Sequence, residues 1–201
     1  MQVLASVNSR TRGPEARTKP NGGAATDGVA HGRAADILER ALLRTGGTVT
    51  AFLETVTGEV VEADIIAQGA IDTTAASRLE VGAGHSLVSR QAILRGRTSR
   101  RNYLYAETLF VPDRLPDGVP HLLETTRDPI GRLLAERGVG MTRTVLGAPV
   151  RTPAVARLGP DNAVNAAIFA RRYRVDSCGV AVMLIDEWFL PDLREAVLRA
   201  G

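Results

Sequence analysis

Residues 163–191, AVNAAIFARRYRVDSCGVAVMLIDEWFLP, constrain this 201-residue chain more than any other stretch. Two apolar runs flank the short polar turn Asp176-Ser177-Cys178-Gly179. A glycine in such a gap supplies the φ > 0 conformation of a tight turn, so the stretch predicts a β-hairpin. Yet Asp186 and Glu187 sit inside the very hydrophobic second arm. Side chains alternate across a strand, which places Glu187 on one face with Met183, Ile185 and Phe189. A carboxylate on an apolar face is costly unless a partner meets it.

A hydrophobic content of 44% supports a sizeable core, and the length suits one domain with or without a tail. No apolar run reaches membrane-spanning length. Arg and Gly stand where a signal peptide would need an apolar segment, so the expected location is cytoplasmic, with no membrane partner. One cysteine, Cys178, excludes an internal disulfide and a cysteine-based zinc site. The histidines His31, His85 and His121 show no metal-ligand spacing, so no metal is expected. The net charge of +3 invites a nucleic-acid reading, but residues 1–33, with five basic and two acidic groups, carry the whole excess. A nucleic-acid-binding domain needs a basic stripe on its folded part, and no nucleic acid is expected as a partner.

Residues 1–33 have Val29 as their only large apolar residue after Val7. They cannot bury enough surface to offset their ordering entropy, so a disordered tail is expected at 1–33 and one folded domain at 34–201. Residues 34–44 have helical spacing at Ile37, Leu38, Ala41 and Leu42. A second helix is expected over 48–57, with Thr48 as N-cap and Gly58 as its stop. Strands are expected over 59–68, 86–94, 102–111 and 141–150, the middle two as a hairpin. Residues 70–82 are ambiguous between helix and loop. Short helices are expected at 120–126 and 130–137, the second capped by Asp128-Pro129 and closed by Gly138. Helical spacing returns at 191–200. Strands paired as neighbours, with helices gathered early and mid-chain, indicate an α+β fold on an antiparallel sheet.

Three charges fall on apolar strand faces: Glu187, Arg90 beside Val88, Ala92 and Leu94, and Glu107 beside Tyr103, Tyr105 and Leu109. Two readings are open. One is a cross-strand ion pair at a solvated sheet edge, which adds little. The other is a buried polar pocket in which the planar guanidinium holds an anionic ligand and the glutamate handles its other end. A buried Glu with a raised pKa trades protons near neutrality. In Arg171-Arg172-Tyr173-Arg174 two arginines share one face and the third lies opposite, which reads first as a solvated face. Cys178, with no neighbouring His, reads as incidental, and His121 as a surface residue at a helix start.

Several motifs then carry a resemblance. Residues 88–115, Asp128-Pro129-Ile130-Gly131-Arg132, Arg171-Arg172-Tyr173-Arg174, and Asp186-Glu187-Trp188-Phe189-Leu190-Pro191 follow in matching order. Together the region 34–191 resembles the chorismate pyruvate-lyase family, which makes 4-hydroxybenzoate. It is most similar to the diverged branch that supplies this acid to glycolipid and other secondary pathways. The resemblance implies an antiparallel sheet flanked by helices, with an enclosed ligand pocket beneath helical flaps. It implies that Arg90 binds the ring carboxylate and Glu187 the 4-oxygen end. Backbone amides at Val49 and Ile130 would complete the pocket. In one departure, Tyr105-Ala106-Glu107 stands where the ubiquinone-pathway enzymes carry Arg in an A-G-R motif. That leaves open how an enolpyruvyl carboxylate is held, and Glu107, Arg172 and Arg174 join the candidate substrate-binding residues.

The implied reaction converts chorismate to 4-hydroxybenzoate and pyruvate by eliminating the enolpyruvyl ether, driven by aromatisation and without a cofactor. Arg90 and Glu187 would be the catalytic residues, orienting a dianion and stabilising charge at the departing ether. Two other readings stay open: a non-catalytic sensor of an aromatic acid, since a related fold serves as the effector-binding domain of some transcription regulators, and a same-fold enzyme giving another aromatic product.

Overall fold

The computed structural model describes residues 36–38, 40–42, 47–71, 79–81, 85–138, 140–150 and 166–200. Residues 1–33, read from sequence as a tail, and most of 70–82 fall outside this set. Residues 36–38 and 40–42 are helical, as their spacing predicts. The labelled elements are helix α1 (Val49–Thr57), strands β1 (Val61–Ile71), β2 (Leu87–Gly96) and β3 (Asn102–Phe110), a 3-10 turn at Pro112–Arg114, helices α2 (Val119–Thr125) and α3 (Ile130–Glu136), strands β4 (Met141–Gly147), β5 (Phe169–Ser177) and β6 (Val180–Phe189), and helix α4 (Pro191–Ala200).

All six strands form one antiparallel sheet in the order β1-β2-β3-β6-β5-β4. The α+β class is as expected. β6, the second arm of the predicted hairpin, lies inside the sheet between β3 and β5, and every residue from Ala181 to Phe189 is buried. Its turn is as short as the sequence requires. Cys178 (φ 50°) and Gly179 (φ 80°) alone connect β5 to β6, and positive φ at both central residues suits the right-handed twist of the flanking strands.

Local signals explain the helices. The Thr48 hydroxyl accepts a hydrogen bond from the Ala51 amide at 3.2 Å, capping α1, and Gly58 ends it in the left-handed region at φ 70°. For α3 the cap expected at Asp128-Pro129 falls on Pro129 alone. Pro129 is the N-cap, with no side-chain cap bond, and Asp128 instead pairs with Arg132 one turn on, at 3.4 Å. Arg132 also reaches the Glu54 carboxylate and the Val61 carbonyl (3.0 Å), while Glu54 accepts from the Val61 amide at 2.9 Å. The Asp128–Arg132 motif therefore lashes α3 to α1 and to the start of β1. The Ala63 amide adds a bond to the Arg127 carbonyl at 2.8 Å.

One apolar cluster joins α2 and α3 to the sheet through Leu123, Leu133, Leu134, Val175, Met183 and Ile185. A second joins α1 and α4 to β1, β3 and β6 through Phe52, Leu53, Val61, Leu104, Phe189 and Leu193. Between them, α1, α2 and α3 roof one face of the sheet. On the opposite face Ile93, Tyr105 and Trp188 cluster, with Tyr105 and Trp188 ring centroids 5.5 Å apart. No helix among the described residues is long and apolar enough to cross a membrane.

Candidate functional site

Beneath α1 and α3 one face of the sheet lines a partly open cavity of about 60 Å³. Its floor comprises Arg90, Ala92 and Leu94 of β2, Leu104, Ala106 and Thr108 of β3, Met183, Ile185 and Glu187 of β6, and Tyr173 and Val175 of β5. These are the alternating positions that a period of two sends to one face. The roof is the start of α1 (Thr48, Val49, Thr50) and the start of α3 (Pro129, Ile130, Gly131). Four of the residues predicted from sequence, Arg90, Glu187, Val49 and Ile130, are thus brought to one cavity.

Arg90 is 3% exposed. Its Nη1 donates to Gln68 Oε1 at 2.5 Å and to the Leu123 carbonyl of α2. Its Nη2 is buried with no hydrogen-bond partner, and Arg90 makes no ion pair among the described residues. Burial pushes the guanidinium down to about 10, because the charged form has lost water and gained no counter-charge. Unpaired buried cations are rare for that energetic reason.

Glu187, also 3% exposed, has one partner on each carboxylate oxygen. Arg171 Nε donates to Oε2 at 2.7 Å, and the Tyr173 hydroxyl donates to Oε1 at 2.8 Å. Arg171 Nη1 continues to the Leu42 carbonyl at 3.2 Å, and its guanidinium lies 5.0 Å from the Tyr173 ring centroid. Burial first, and then the neighbouring Glu187 charge, hold the Tyr173 hydroxyl well above its usual range, so it stays protonated as a donor. Each carboxylate oxygen has a second lone pair, so Glu187 still has acceptor capacity toward the cavity.

The structure does not bring Glu107, Arg172 or Arg174 to this cavity. Glu107 alternates with Ala106 and Thr108, which line it, so the glutamate faces the other side of the sheet. There it accepts from the Tyr105 hydroxyl at 2.9 Å and from Gln91 Nε2 at 3.4 Å. Arg172 and Arg174 share that far face. Arg172 makes a bidentate pair with Asp186 at 2.5 Å, and Arg174 pairs with Asp176 at 2.9 Å. The solvated-edge reading of Arg90, Glu107 and Glu187 fails on the same geometry, because Glu107 lies on the other face and Glu187 pairs with Arg171.

Sequence reasoning missed Arg171 as the partner of Glu187 and Arg143 of β4 as a lining residue. The alternation that set Arg171 opposite Arg172 and Arg174 was the available signal for the first. For the second there was none, because β4 takes its place only through pairing with β5. No group of three or more His, Cys, Asp or Glu that could hold a metal occurs among the described residues.

Residues 43–197 match the family model described as "Chorismate pyruvate-lyase Rv2949c-like". The chain is 34% identical over 158 residues to a chorismate pyruvate-lyase of Mycobacterium tuberculosis (strain CDC 1551 / Oshkosh), covering 75% of this chain and 78% of that protein. It is 30% identical over 161 residues to one from Mycobacterium leprae (strain TN), covering 75% and 73%. In fold it is similar to the effector domain of PhnF from Mycobacterium smegmatis, with a TM-score of 0.52 at 19% identity, over 73% of this chain and 90% of that one. A likeness at that identity speaks for the fold alone. The extent of the family match and the identity to the mycobacterial proteins place this chain in the Rv2949c-like chorismate pyruvate-lyase family.

Proposed function

We propose that the protein is a chorismate lyase that releases 4-hydroxybenzoate and pyruvate. The observation that carries the reading is the pairing of opposites in one cavity. A buried guanidinium with an unsatisfied Nη2 and a buried carboxylate with acceptor capacity to spare line the same cavity. A ring acid with a hydroxyl opposite its carboxylate answers both.

In this reading the ring carboxylate docks on Arg90, which is already aimed by Gln68 and Leu123. Val49 and Ile130, at the starts of α1 and α3, line the same cavity, and their amides would complete the anion site. First-turn amides have no partner within their own helix and are suited to an anion. The 4-hydroxyl donates to Glu187. The bond between ring C3 and the ether oxygen breaks and the C4 proton leaves, so the ring becomes aromatic. The departing enolpyruvate takes a proton at its methylene to give pyruvate, and atoms and charge balance without a redox partner. Glu187 stands at the end of the ring where that proton leaves. Arg171 and Tyr173 keep its orientation fixed, so little reorganisation is needed as charge develops.

The test is incubation of the purified protein with chorismate, measuring pyruvate and separating the aromatic products by chromatography. Pyruvate and 4-hydroxybenzoate in equal amounts, lost in Arg90→Ala, are the expected outcome. A different aromatic acid would keep the lyase and overturn the regiochemistry. The fold of the PhnF effector domain supports one other reading, a non-catalytic receptor for an aromatic acid. Tight 4-hydroxybenzoate binding without turnover would select it.

A further inference from the structure

The cavity does not end at its roof. A cleft of about 350 Å³ adjoins it, and the two share Thr48, Gly131, Leu134 and Arg143 as lining. These four residues form a neck between an inner chamber and an outer one. Gly131 is closely packed at that neck. A Cβ there would lie 3.0 Å from the Thr48 Cβ, tighter than atoms pack without displacement.

The charges along this route do not cancel. Glu187 is matched by Arg171, so Arg90 and Arg143 are the two lining cations without a counter-charge. Arg143 is exposed and makes no ion pair among the described residues. It pairs in register with Val175, a floor residue, which puts it on the cavity face of the sheet. Arg90 and Arg143 lie on β2 and β4, four strand spacings apart in the sheet order. At about 4.8 Å per spacing their backbones are separated by roughly 19 Å. Both side chains nevertheless line the same cavity, so one ligand with a ring and a short arm could meet both.

We propose that Arg143 anchors a second carboxylate, and that the ligand is a cyclic acid whose second anionic arm passes the Thr48–Gly131 neck toward the outer cleft. This rests on the lyase reading for the identity of the arm, which in chorismate is the enolpyruvyl group. It also assigns that carboxylate a holder other than Glu107, Arg172 or Arg174, all on the far face.

The experiment is titration calorimetry with two stable probes, 4-hydroxybenzoate and 3-(carboxymethoxy)-4-hydroxybenzoate, on the wild type, Arg143→Ala and Arg143→Lys. A charge-assisted contact predicts that the wild type prefers the dicarboxylate by about tenfold or more. Arg143→Ala should abolish that preference while 4-hydroxybenzoate affinity stays within about twofold, and Arg143→Lys should restore part of it. Equal binding of both probes by the wild type, or an equal loss of both in Arg143→Ala, would overturn the proposal. Neither probe turns over, so this result stands apart from the chorismate incubation, whose failure would sink the lyase reading alone.

Discussion

At the scale of single residues, Arg90 is a buried cation held ready at a cost. Replacing a buried charge by an apolar group of similar volume is often neutral or stabilising. Arg90→Met is therefore expected to leave the ligand-free protein at least as stable in thermal melts, while weakening 4-hydroxybenzoate binding by about 100-fold. A structural arginine would show the reverse, with lost stability and unchanged binding. The pH dependence has a definite sign. In the proposed reading it is the protonated guanidinium that would bind the anion, and burial has brought its pKa down to about 10. Affinity for benzoate, which has no phenol to titrate there, should be flat through neutrality and fall as pH rises through about 10, read by calorimetry across that range. Glu187→Gln keeps the shape of the side chain and its contact with Tyr173 but removes the charge beside Arg171. Turnover of chorismate should fall by about 100-fold if Glu187 moves or stabilises the C4 proton. Undiminished kcat would confine it to positioning.

At the scale of elements, the roof depends on close contact between two helix starts. The Thr48 hydroxyl caps α1, and its Cβ faces Gly131 at the start of α3. Gly131→Ala must push the helices apart or displace Thr48, since the added Cβ meets the Thr48 Cβ at 3.0 Å. Overpacking of this kind costs about 1–3 kcal/mol. The expected result is a lower thermal midpoint with a larger loss of ligand affinity than Thr48→Ser, which retains the capping oxygen. The Asp128–Arg132 motif gains its physical meaning here. The aspartate does not cap α3. It and Glu54 hold Arg132, which ties α3 to the sheet by the Val61 carbonyl. This explains why the motif could be noticed as a string yet misread as a cap. An N-cap aspartate and one that pairs with an arginine four residues on look alike before the backbone is known.

At the scale of the whole molecule, binding and folding are linked, because the ligand would occupy space between the sheet and its three-helix roof. A ligand that binds only the folded state at 100 times its Kd stabilises by about 2.7 kcal/mol. For a domain of this size that corresponds to a rise of about 5–10 °C in the thermal midpoint. The same concentration of 4-hydroxybenzoate should produce such a rise in the wild type and only about 1 °C in Arg90→Met, for which it is about one Kd.

Much of this architecture is written in local sequence. Cys178-Gly179 specifies the β5–β6 turn, because glycine is free to take positive φ. The Thr48 and Gly58 signals bound α1 within a residue. Alternation assigns Arg90 and Glu187 to apolar faces, since a strand sends every second side chain the same way. None of those signals reaches across the sheet. Local pattern told the faces of β3 and β5 apart, yet it did not say which of them meets the cavity. Hence Glu107, Arg172 and Arg174 entered the candidate set while Arg171 and Arg143 did not. The order β1-β2-β3-β6-β5-β4 decides that matter. It sets β6 beside both β3 and β5, gives Glu187 its partner Arg171, and carries Arg143 on an edge strand to the mouth of the cavity. By itself the sequence determined where this chain turns, where its helices begin and which charges share a face with apolar neighbours, because those properties follow from residues adjacent along the backbone. Only the tertiary structure decided which of those charges are paired and which are left without a counter-charge among the described residues, because pairing depends on strands far apart in sequence being brought into register.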